Sequence, residues 1–465
     1  MQLKNNSVRS KLAIATSALL LSTPIQAEAA NANNGAITDS ENSVQTPRSL
    51  KENFSSTSGL YYSEEDRVTV KKVQSKIAKI LNDDNTLNVN VIYDTMSGAS
   101  PNGRIFTDHK DSKFVTTTSA SGNSSTVKNT SEISNQKTWL TEFEDTRFAA
   151  SVDWESKVAS TVTTTLGVAG SYEDDYDSYS GSGNILFEFN QKRTSLNLGA
   201  AMSIDTVKAG GGIPEGLGIL TCTNTIAFQP TWLDCDTNAK FFKPGEKIVK
   251  DYLIGITQVW NRRTIFQLNY AFGNESGYLT DPYKQVSIFK STYGESAILH
   301  EKRPDERSTN SLFFKIINVP VDNVSLNFSY RYFWDNWKVN AHTADGRLRL
   351  NLTDRIYIQG HGRLHKQDAA FFFDKKIDYV DFIANFEDGS TNTGARKYKD
   401  KPEYLSTDSR LGKIISATAG IKIGMKLKNQ MDLSARVERM QQHYYNGVLP
   451  RLKVWIAQVI FSMKF

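Results

Sequence analysis

The sequence lacks a long uncharged apolar run after Leu21. Hydrophobic residues make up 39% of the 465 residues, and the mean hydropathy is −0.43. Because each membrane helix needs about 20 consecutive apolar residues, this composition excludes a bundle of membrane helices. It is compatible with a membrane β-barrel, in which only every second residue of a strand has to be apolar. The net charge is only +5 and no basic run is dense, which predicts no nucleic-acid partner.

Cysteine is scarce, with Cys222 and Cys235 as the only two residues of this type. In an exported protein such a pair forms a disulfide, and closing the loop between the two cysteines would stabilise the folded state by about 3 kcal/mol. The alternative is a metal site built on two thiols, but no further Cys or His lies nearby in the sequence. We therefore predict a disulfide, with no bound metal ion and no cofactor.

No catalytic motif stands out either. Ser97 lies in an S-G-A-S-P segment, which is not the G-x-S-x-G elbow of serine hydrolases. A barrel hydrolase would need a serine, a histidine and an acid brought together across separate loops, and no spacing indicates such a group. The prediction is that the protein is not an enzyme.

The first segment is typical of an export signal. Lys4, Arg9 and Lys11 precede an apolar core at Leu12–Leu21, and Ala27-Glu28-Ala29 resembles a cleavage site. We predict a signal peptide at residues 1–29 and a flexible polar segment at residues 30–55, where Asn, Ser and Thr dominate. Residues 56–465 then form the folded domain.

The last segment, Lys453–Phe465, alternates between two kinds of side chain. Its polar phase carries Lys464, Ser462 and Gln458, while its apolar phase carries Phe465, Met463, Phe461, Val459 and Ala457. This pattern predicts a strand with one apolar face. A terminal aromatic residue on such a strand resembles the signal by which outer-membrane barrels are recognised for assembly, so Phe465 is the predicted assembly signal.

Similar alternation recurs along most of the chain and predicts an all-β fold, a transmembrane antiparallel barrel of about 16 strands. Backbone groups in lipid must all be paired, which requires such a sheet to close. One segment fits poorly, because Val73, Ile77 and Ile80 are spaced as on a helix, which predicts a bulged or partly helical strand there. Short and long connections alternate, which predicts short periplasmic turns and long extracellular loops.

Several motifs together resemble a bacterial outer-membrane family known as domain of unknown function 3570, over roughly residues 59–465. These motifs are Tyr93–Pro101, Glu144–Arg147, Glu301–Asp305, Ser329–Trp337 and Ser406–Gly412. The resemblance implies an exported barrel and supplies no catalytic residues. It also implies a shared structural feature at the rim, formed by Ser97, Gly98, Ala99, Ser100 and Pro101 together with Arg303, Pro304 and Asp305.

Charged side chains occupy the polar phase of many strands and are predicted to face the lumen. The selectivity candidates are Arg331, Asp335, Arg349, Arg363, Lys422, Lys426, Arg436 and Glu438. These charges would either form a selective constriction or satisfy one another in a network that fills the barrel. His361 and His365 share that face but lie about 13 Å apart along the strand, too far for one metal ion, so they are predicted to line the lumen.

The sequence thus predicts an outer-membrane barrel that passes or binds small solutes, with lumen charge setting the preference. The alternative is a plugged barrel that serves a structural or partner-binding role in the envelope. Expected partners are the lipid bilayer, lipopolysaccharide and the barrel-assembly machinery. The expected location is the bacterial outer membrane, reached by export with a cleaved signal peptide.

Overall fold

A computed structural model describes residues 52–104, 139–222, 239–290, 294–374, 377–378, 401–445 and 449–465. The predicted signal peptide, nearly all of the polar segment after it, and Cys235 lie outside the described residues. The signal peptide and the disulfide therefore stay predictions. Within the described ranges, no helix is both long enough and apolar enough to cross a membrane.

The described residues form 22 strands and a short 3-10 turn at Ser409–Leu411. In chain order the strands are β1 (Phe54–Glu64), β2 (Val68–Ile80), β3 (Asn85–Pro101), β4 (Leu140–Ala159), β5 (Val162–Tyr172), β6 (Tyr176–Phe189), β7 (Thr194–Val207), β8 (Ile213–Pro214), β9 (Ile219–Cys222), β10 (Phe241–Phe242), β11 (Gly245–Asn261), β12 (Thr264–Gly277), β13 (Gln285–Lys290), β14 (Gly294–His300), β15 (Glu306–Val321), β16 (Val324–Asp335), β17 (Asn340–Asn351), β18 (Ile356–Gln367), β19 (Ile377–Asp378), β20 (Ile414–Lys426), β21 (Asp432–Tyr444) and β22 (Leu452–Lys464).

Sixteen of these strands form one closed barrel in which each strand is antiparallel to its neighbours. The order around the ring is β1 to β7, β11, β12, β15 to β18 and β20 to β22. The ring closes where β1 pairs with β22, from Phe54 opposite Lys464 to Glu64 opposite Val454. The predicted antiparallel barrel of about 16 strands is confirmed.

The helical spacing seen in the second strand does not produce a helix. β2 is continuous over 13 residues and pairs with β1 and β3 along its length. Val73 and Ile77 point outward and are exposed, while Gln74 and Ala78 between and beside them point inward and are buried. The prediction of a bulged or partly helical segment was wrong, because cross-strand pairing overrides the short-range spacing of three apolar residues.

Side chains alternate between the two faces of the barrel wall. The outer face is apolar, with Leu166 59% and Val168 64% exposed, whereas inward Asn197 and Ser203 are almost completely buried. An apolar outer belt on a closed sheet is stable in lipid, where the backbone is fully paired and only apolar side chains meet the acyl chains. The architecture is therefore that of a transmembrane barrel.

Short turns close one end of the barrel. The turn after β2 is typical: the Asn82 side-chain oxygen accepts from the backbone N–H groups of Asp84 and Asn85 at 3.0 and 2.9 Å. The four longest connections, between β3 and β4, β7 and β11, β12 and β15, and β18 and β20, all lie at the opposite end. Which end faces the periplasm stays a prediction.

Long connections at this second end fold into a small sheet instead of extending away from the barrel. β9, β14, β13 and β19 pair in that order, and β8 pairs with β10 beside them. The sheet buries a core of its own, formed by Leu217, Ile219, Val286, Ile288, Ala297, Leu299 and Leu405. We call the segments 213–222, 278–290, 294–305 and 401–412 the lid.

The lid reaches across the mouth of the barrel. On one side Tyr283 hydrogen bonds with Asp175, in the connection between β5 and β6. On the other side the Gln367 side chain, on β18, donates to the carbonyl of Arg410 at 2.8 Å. In a ring of sixteen, β5 is fifth and β18 thirteenth, which places them opposite each other. The lid therefore spans the mouth.

One inward position on the barrel wall depends on glycine. The ring of Tyr357, on β18, lies over Gly424 of β20, where an added Cβ would sit 2.0 Å from the ring carbon that bears the hydroxyl. The guanidinium of Arg349 lies over the Tyr357 ring, 3.6 Å from the ring centre. Glycine thus allows an aromatic ring to lie flat against the wall and to support a cation.

Replacing Gly424 with Val should displace the Tyr357 ring and destabilise the barrel by about 1–3 kcal/mol, as overpacking of a dense site does. Gly360→Val is the matched control, because an added side chain at this outward position meets nothing within 4 Å. The temperature at which the folded band disappears in gel electrophoresis should fall for Gly424→Val and stay near the wild-type value for Gly360→Val. Equal values for the two variants would contradict this role of Gly424.

Candidate functional site

The strand registers place the predicted lumen charges on the inward phase of the wall. Arg331 faces Thr343 and Phe313, Lys422 faces Arg436, and Glu438 faces Gly420 on neighbouring strands. Arg436 and Glu438 are nearly completely buried inside the barrel, whereas Lys426 is exposed close to the short turns. These residues share one face but have different surroundings.

Asp335 stabilises the structure of the rim. Its carboxylate accepts from both Nε and Nη2 of Arg307, at 2.9 and 2.7 Å, and also from the backbone N–H of Val339 at 2.8 Å. Arg307 in turn lies over the Trp337 ring, 4.5 Å from its centre. This group holds the turn between β16 and β17, so Asp335 is not available to a solute.

Glu438 belongs to a bridge across neighbouring strands. Its Oε1 lies 2.6 Å from Nδ1 of His361, and the other ring nitrogen of His361 lies 2.8 Å from the Asp345 carboxylate. The two carboxyl groups and the imidazole ring between them thus satisfy one another's hydrogen-bonding groups. The side chain of Glu438 crosses β20 at Gly420, where a Cβ would be 2.3 Å from its Cγ. This part of the lumen is a mutually satisfied network.

The sequence predicted His361 only as lumen lining and did not identify Asp345. The contact between Glu438 and His361 depends on Gly420, which lies opposite Glu438 on one neighbouring strand and opposite His361 on the other. A glycine on one strand, with a polar residue opposite it on the strand at each side, is the sequence signal that could have indicated this contact. His365 is separate from this bridge and lies 2.9 Å from the Thr343 hydroxyl.

Arg331 and Arg349 have different surroundings from the bridge. Arg331 lies 5.8 Å from the Phe313 ring centre, and Arg349 packs on Tyr357 and donates to Asn351 at 3.2 Å. Within the described part of the chain, neither guanidinium meets a carboxylate. These two arginines are the lumen cations with capacity for an external partner.

The two sides of the lumen differ in their balance of charge, although each side also holds counter-charges. Arg147 pairs with Asp94 and Lys247 with Asp205 on one side, and Asp345 and Glu438 lie among the cations on the other. We call the basic wall the inward cations of β16 to β21: Arg331, Arg347, Arg349, Arg363, Lys422 and Arg436. We call the acidic wall the inward acids of β3, β4, β7 and β11: Asp94, Asp153, Glu155, Asp205 and Asp251. In the ring of sixteen, β4 is fourth and β17 twelfth, so the two walls face each other across the lumen.

The rim segment Ser97–Pro101 contacts the lid at one point. The Lys284 ammonium donates to the Pro101 carbonyl, and next to it Gln285 N–H donates to the Asn102 carbonyl at 2.7 Å. Gly98 adopts a φ of 131°, and a Cβ there would overlap the Arg67 carbonyl oxygen at 2.1 Å. Ser97 is exposed, and Ala99 and Ser100 are half-buried. The segment thus anchors the lid to the wall.

The second rim segment places Arg303 in the buried centre of the lid. Arg303 lies 2.7 Å from Glu301 and 2.9 Å from Asp408. Pro304 is half-buried, and Asp305 is exposed with its carbonyl accepting from Gly277 N–H at 2.9 Å. The two rim segments come together through the lid and not by direct contact.

Arg303 belongs to a group of six charged residues, three acidic and three basic. We call them the latch: Asp281, Lys284, Glu301, Arg303, Asp408 and Arg410. Arg410 lies 2.6 Å from Asp408 and 2.6 Å from Asp281, and Ser406 donates to Glu301. Burial raises the pKa of Glu301, whereas Arg410, Lys284 and Arg303 outweigh burial and hold the pKa of Asp408 well below its usual range. The latch joins the segments of the lid.

Three carboxylates also come together outside the latch. Asp145, Glu173 and Asp175 have oxygens within 4.8 Å of one another. However, Arg147 lies 3.7 Å from Glu173, and Asp145 accepts from Thr146 N–H at 2.8 Å. Arg147 is shared with Asp94 at 2.7 Å, and burial first, then the neighbouring acids, raise the pKa of Asp145 and the pKa of Asp175.

The model of one protein family matches residues 10–461, under the description "Protein of unknown function (DUF3570)". Among curated proteins, none matches the sequence. The match covers both rim segments, the latch and the two charged walls, and it brings no functional assignment with it.

Several solved barrels are similar in structure. A bacterial polysaccharide outer membrane secretin has a TM-score of 0.42 and 8% identity, covering 89% of this chain and 98% of its own. CdiB from Acinetobacter baumannii has a TM-score of 0.43 and 6% identity, covering 90% and 60%. The ferric enterobactin receptor of Pseudomonas aeruginosa has a TM-score of 0.38 and 9% identity, covering 84% and 53%. The chain thus spans about half the length of that receptor.

Replacing Asp408 with Asn should loosen the lid, because Arg303 and Arg410 would lose the carboxylate they share in a buried site. Breaking one partner of a buried ion pair costs about 3–5 kcal/mol. Hydrogen-exchange protection of the Val286 and Ile288 amides should fall accordingly. Asp305→Asn removes the same charge from an exposed position and should leave that protection unchanged; a similar loss in both variants would contradict the latch.

The closed lid should also be less stable in acid, because burial lowers the pKa of His300 from 6.5 to about 4. An opened lid exposes this ring, which then binds a proton near pH 6.5, so closure is fully favoured above that pH and weakens as the pH falls toward 4. The loss approaches about 3 kcal/mol. Protection factors at Val286, corrected for intrinsic exchange, should fall over this range in wild type but not in His300→Phe. A flat wild-type profile would contradict the prediction.

Proposed function

The chain belongs to the DUF3570 family of proteins of unknown function, and from that premise we propose that it is an outer-membrane channel for small solutes. The observation that carries the proposal is the excess of cations on one side of the lumen, the basic wall of β16 to β21. The acids on the opposite side lie beside cations of their own, Asp94 beside Arg147 and Asp205 beside Lys247. A solute in the lumen would therefore meet an uneven balance of charge, so its own charge would set the preference.

The lid supports a gated channel instead of a permanently open one. It spans the mouth, holds itself together through the latch, and contacts the wall at Asn102 and Gln367. The apolar positions Val454 and Ile456 of β22 face inward near the mouth and belong to a buried cluster with Tyr62 and Met440. The lid is held together internally and lies over this buried apolar cluster, so it would open as one rigid unit.

The outer membrane is the proposed location. Three features support it: the predicted signal peptide, the closed antiparallel barrel and the apolar outer belt. In that setting the long-loop end and its lid would face the exterior, where lipopolysaccharide surrounds the rim. Phe465, whose backbone pairs with Asn53 beside the first strand, would be the contact for the assembly machinery.

A plugged, non-conducting barrel is the second candidate, and the lid is the observation that favours it. Val286, Leu299, Glu301 and Ser406 are almost completely inaccessible, so the lid is packed as tightly as a small domain core. In this case the barrel would display its rim to a partner in the envelope. The pair formed by Ser406 and Glu301 is buried beyond the reach of a substrate, so it gives no support to a hydrolase.

Conductance of the refolded protein in a planar bilayer separates the two candidates. A gated channel should show steady steps on the order of nanosiemens that are rare in wild type and more frequent in Asp408→Asn, in which the latch is weakened. Asp305→Asn is the control and should behave as wild type. Absence of steps in both the wild type and Asp408→Asn, with both proteins folded and heat-modifiable, would overturn the channel and leave the plugged barrel.

A further inference from the structure

Four arginines of the basic wall follow one another along the barrel axis. In the register of β16, β17 and β18, Arg331 lies opposite Thr343, Arg363 opposite Asp345 in the next inward row, and Arg347 and Arg349 in the two rows after that. Inward rows on a strand are about 6.6 Å apart. The four residues therefore occupy successive inward rows over about 20 Å measured along the strands, one in each row.

The bridge formed by Asp345, His361 and Glu438 divides these arginines. Arg347 lies 3.4 Å from Asp345, so the bridge already compensates its charge. Arg331 lies on the lid side of the bridge and Arg349 on the short-turn side. The wall thus has two uncompensated cations separated by a rigid, satisfied group, which differs from a continuous ion-pair network.

Arg331 is the stronger of the two positions. It is half-buried, it packs near Phe313, and the charge that acts on it most is the second cation of Arg363. Arg363 faces the carboxylate of Asp345 on β17, whereas Arg331 has no carboxylate beside it in the described residues. A buried cation whose neighbour is another cation is costly in the interior of a protein. An anion with two or more charges would relieve that cost.

Arg349 is held in a defined orientation. Its guanidinium lies 3.6 Å from the Tyr357 ring centre, and its Nε donates to Asn351. Stacking fixes the plane of the group and reduces the entropy that a ligand would otherwise have to remove. A planar guanidinium without a carboxylate partner is suited to bind carboxylate or phosphate oxygens in pairs.

We propose that Arg331 with Arg363 and, further along, Arg349 form two binding positions for small multivalent anions that carry carboxylate or phosphate groups. This inference rests on the proposed function and names the class of solute. Entry from the lid side would lead first to Arg331 and Arg363, and then past the bridge to Arg349. Two positions on the order of 20 Å apart let an anion leave one before it is held by the other, as conduction requires.

Binding can be measured without any current. We would titrate the folded barrel in detergent micelles with pyrophosphate and, separately, with citrate, by isothermal titration calorimetry at low salt. Arg331→Gln should weaken binding about tenfold or more, since a lost charge-assisted bond is worth that factor. Arg331→Lys should bind with intermediate affinity, because it keeps the charge but loses the paired donors.

Lys76→Gln is the matched control. Lys76 also points inward, but it lies on β2 beside the acidic wall, where Asp153 acts on it. Loss of this cation should change the affinity less than about twofold. Binding of pyrophosphate alone would assign the positions to phosphate groups, and binding of citrate alone to carboxylates; both outcomes support the proposal.

Two results would overturn it: no binding of either anion to the wild type, or an equal loss of affinity in Lys76→Gln and Arg331→Gln. The outcome is independent of conductance. A barrel that conducts but binds neither anion would overturn this inference and keep the channel. A barrel that binds through Arg331 but never conducts would keep the binding positions and overturn passage through the lumen.

Discussion

The structure depends on one constraint: a backbone N–H or C=O group without a partner costs several kcal/mol in lipid. An open sheet has two unpaired edges, so the first and last barrel strands must meet, and β1 and β22 do so along their full length. Closure fixes the direction of every side chain, because each inward position in one strand then faces an inward position in the next. Apolar residues can lie outside only if the polar phase of all sixteen strands lies inside. The charged lumen follows from the same pairing that makes the barrel stable.

Residues whose partners are near in the sequence could be predicted, and those with distant partners could not. The alternation in Lys453–Phe465 has a period of two and is set by the strand itself, so it identified the last strand directly. The bridge from Glu438 to His361 crosses a strand and needs Gly420 in register, a relation that no local pattern contains. The latch joins residues more than a hundred positions apart, such as Arg303 and Asp408. Short-range spacing also misled at Val73, where pairing with two neighbours decides the conformation.

The cations of the latch and those of the basic wall differ in how many acidic side chains lie near them. In the latch, Arg303 and Arg410 each lie within 2.9 Å of a carboxylate, and the charges of Asp281 and Asp408 act on Lys284. The group is buried, which makes it a structural joint. Along β16 to β18 the acids are concentrated in the bridge, and Arg331 and Arg349 have none. The same residue types therefore stiffen one part of the molecule, while in the other part we propose that they bind solutes. Distribution of the acids, more than the number of cations, separates the two roles.

The latch contains three acidic and three basic side chains, so when all six are ionised it carries no net charge. Moving it outward through the mouth would transfer no net charge across the transmembrane field. Work done by a membrane potential scales with the charge that moves, about 2.3 kcal/mol per elementary charge for each 100 mV. The latch would therefore add no voltage dependence to an outward movement of the lid, and any such dependence would have to come from the charged side chains of the lid outside the latch.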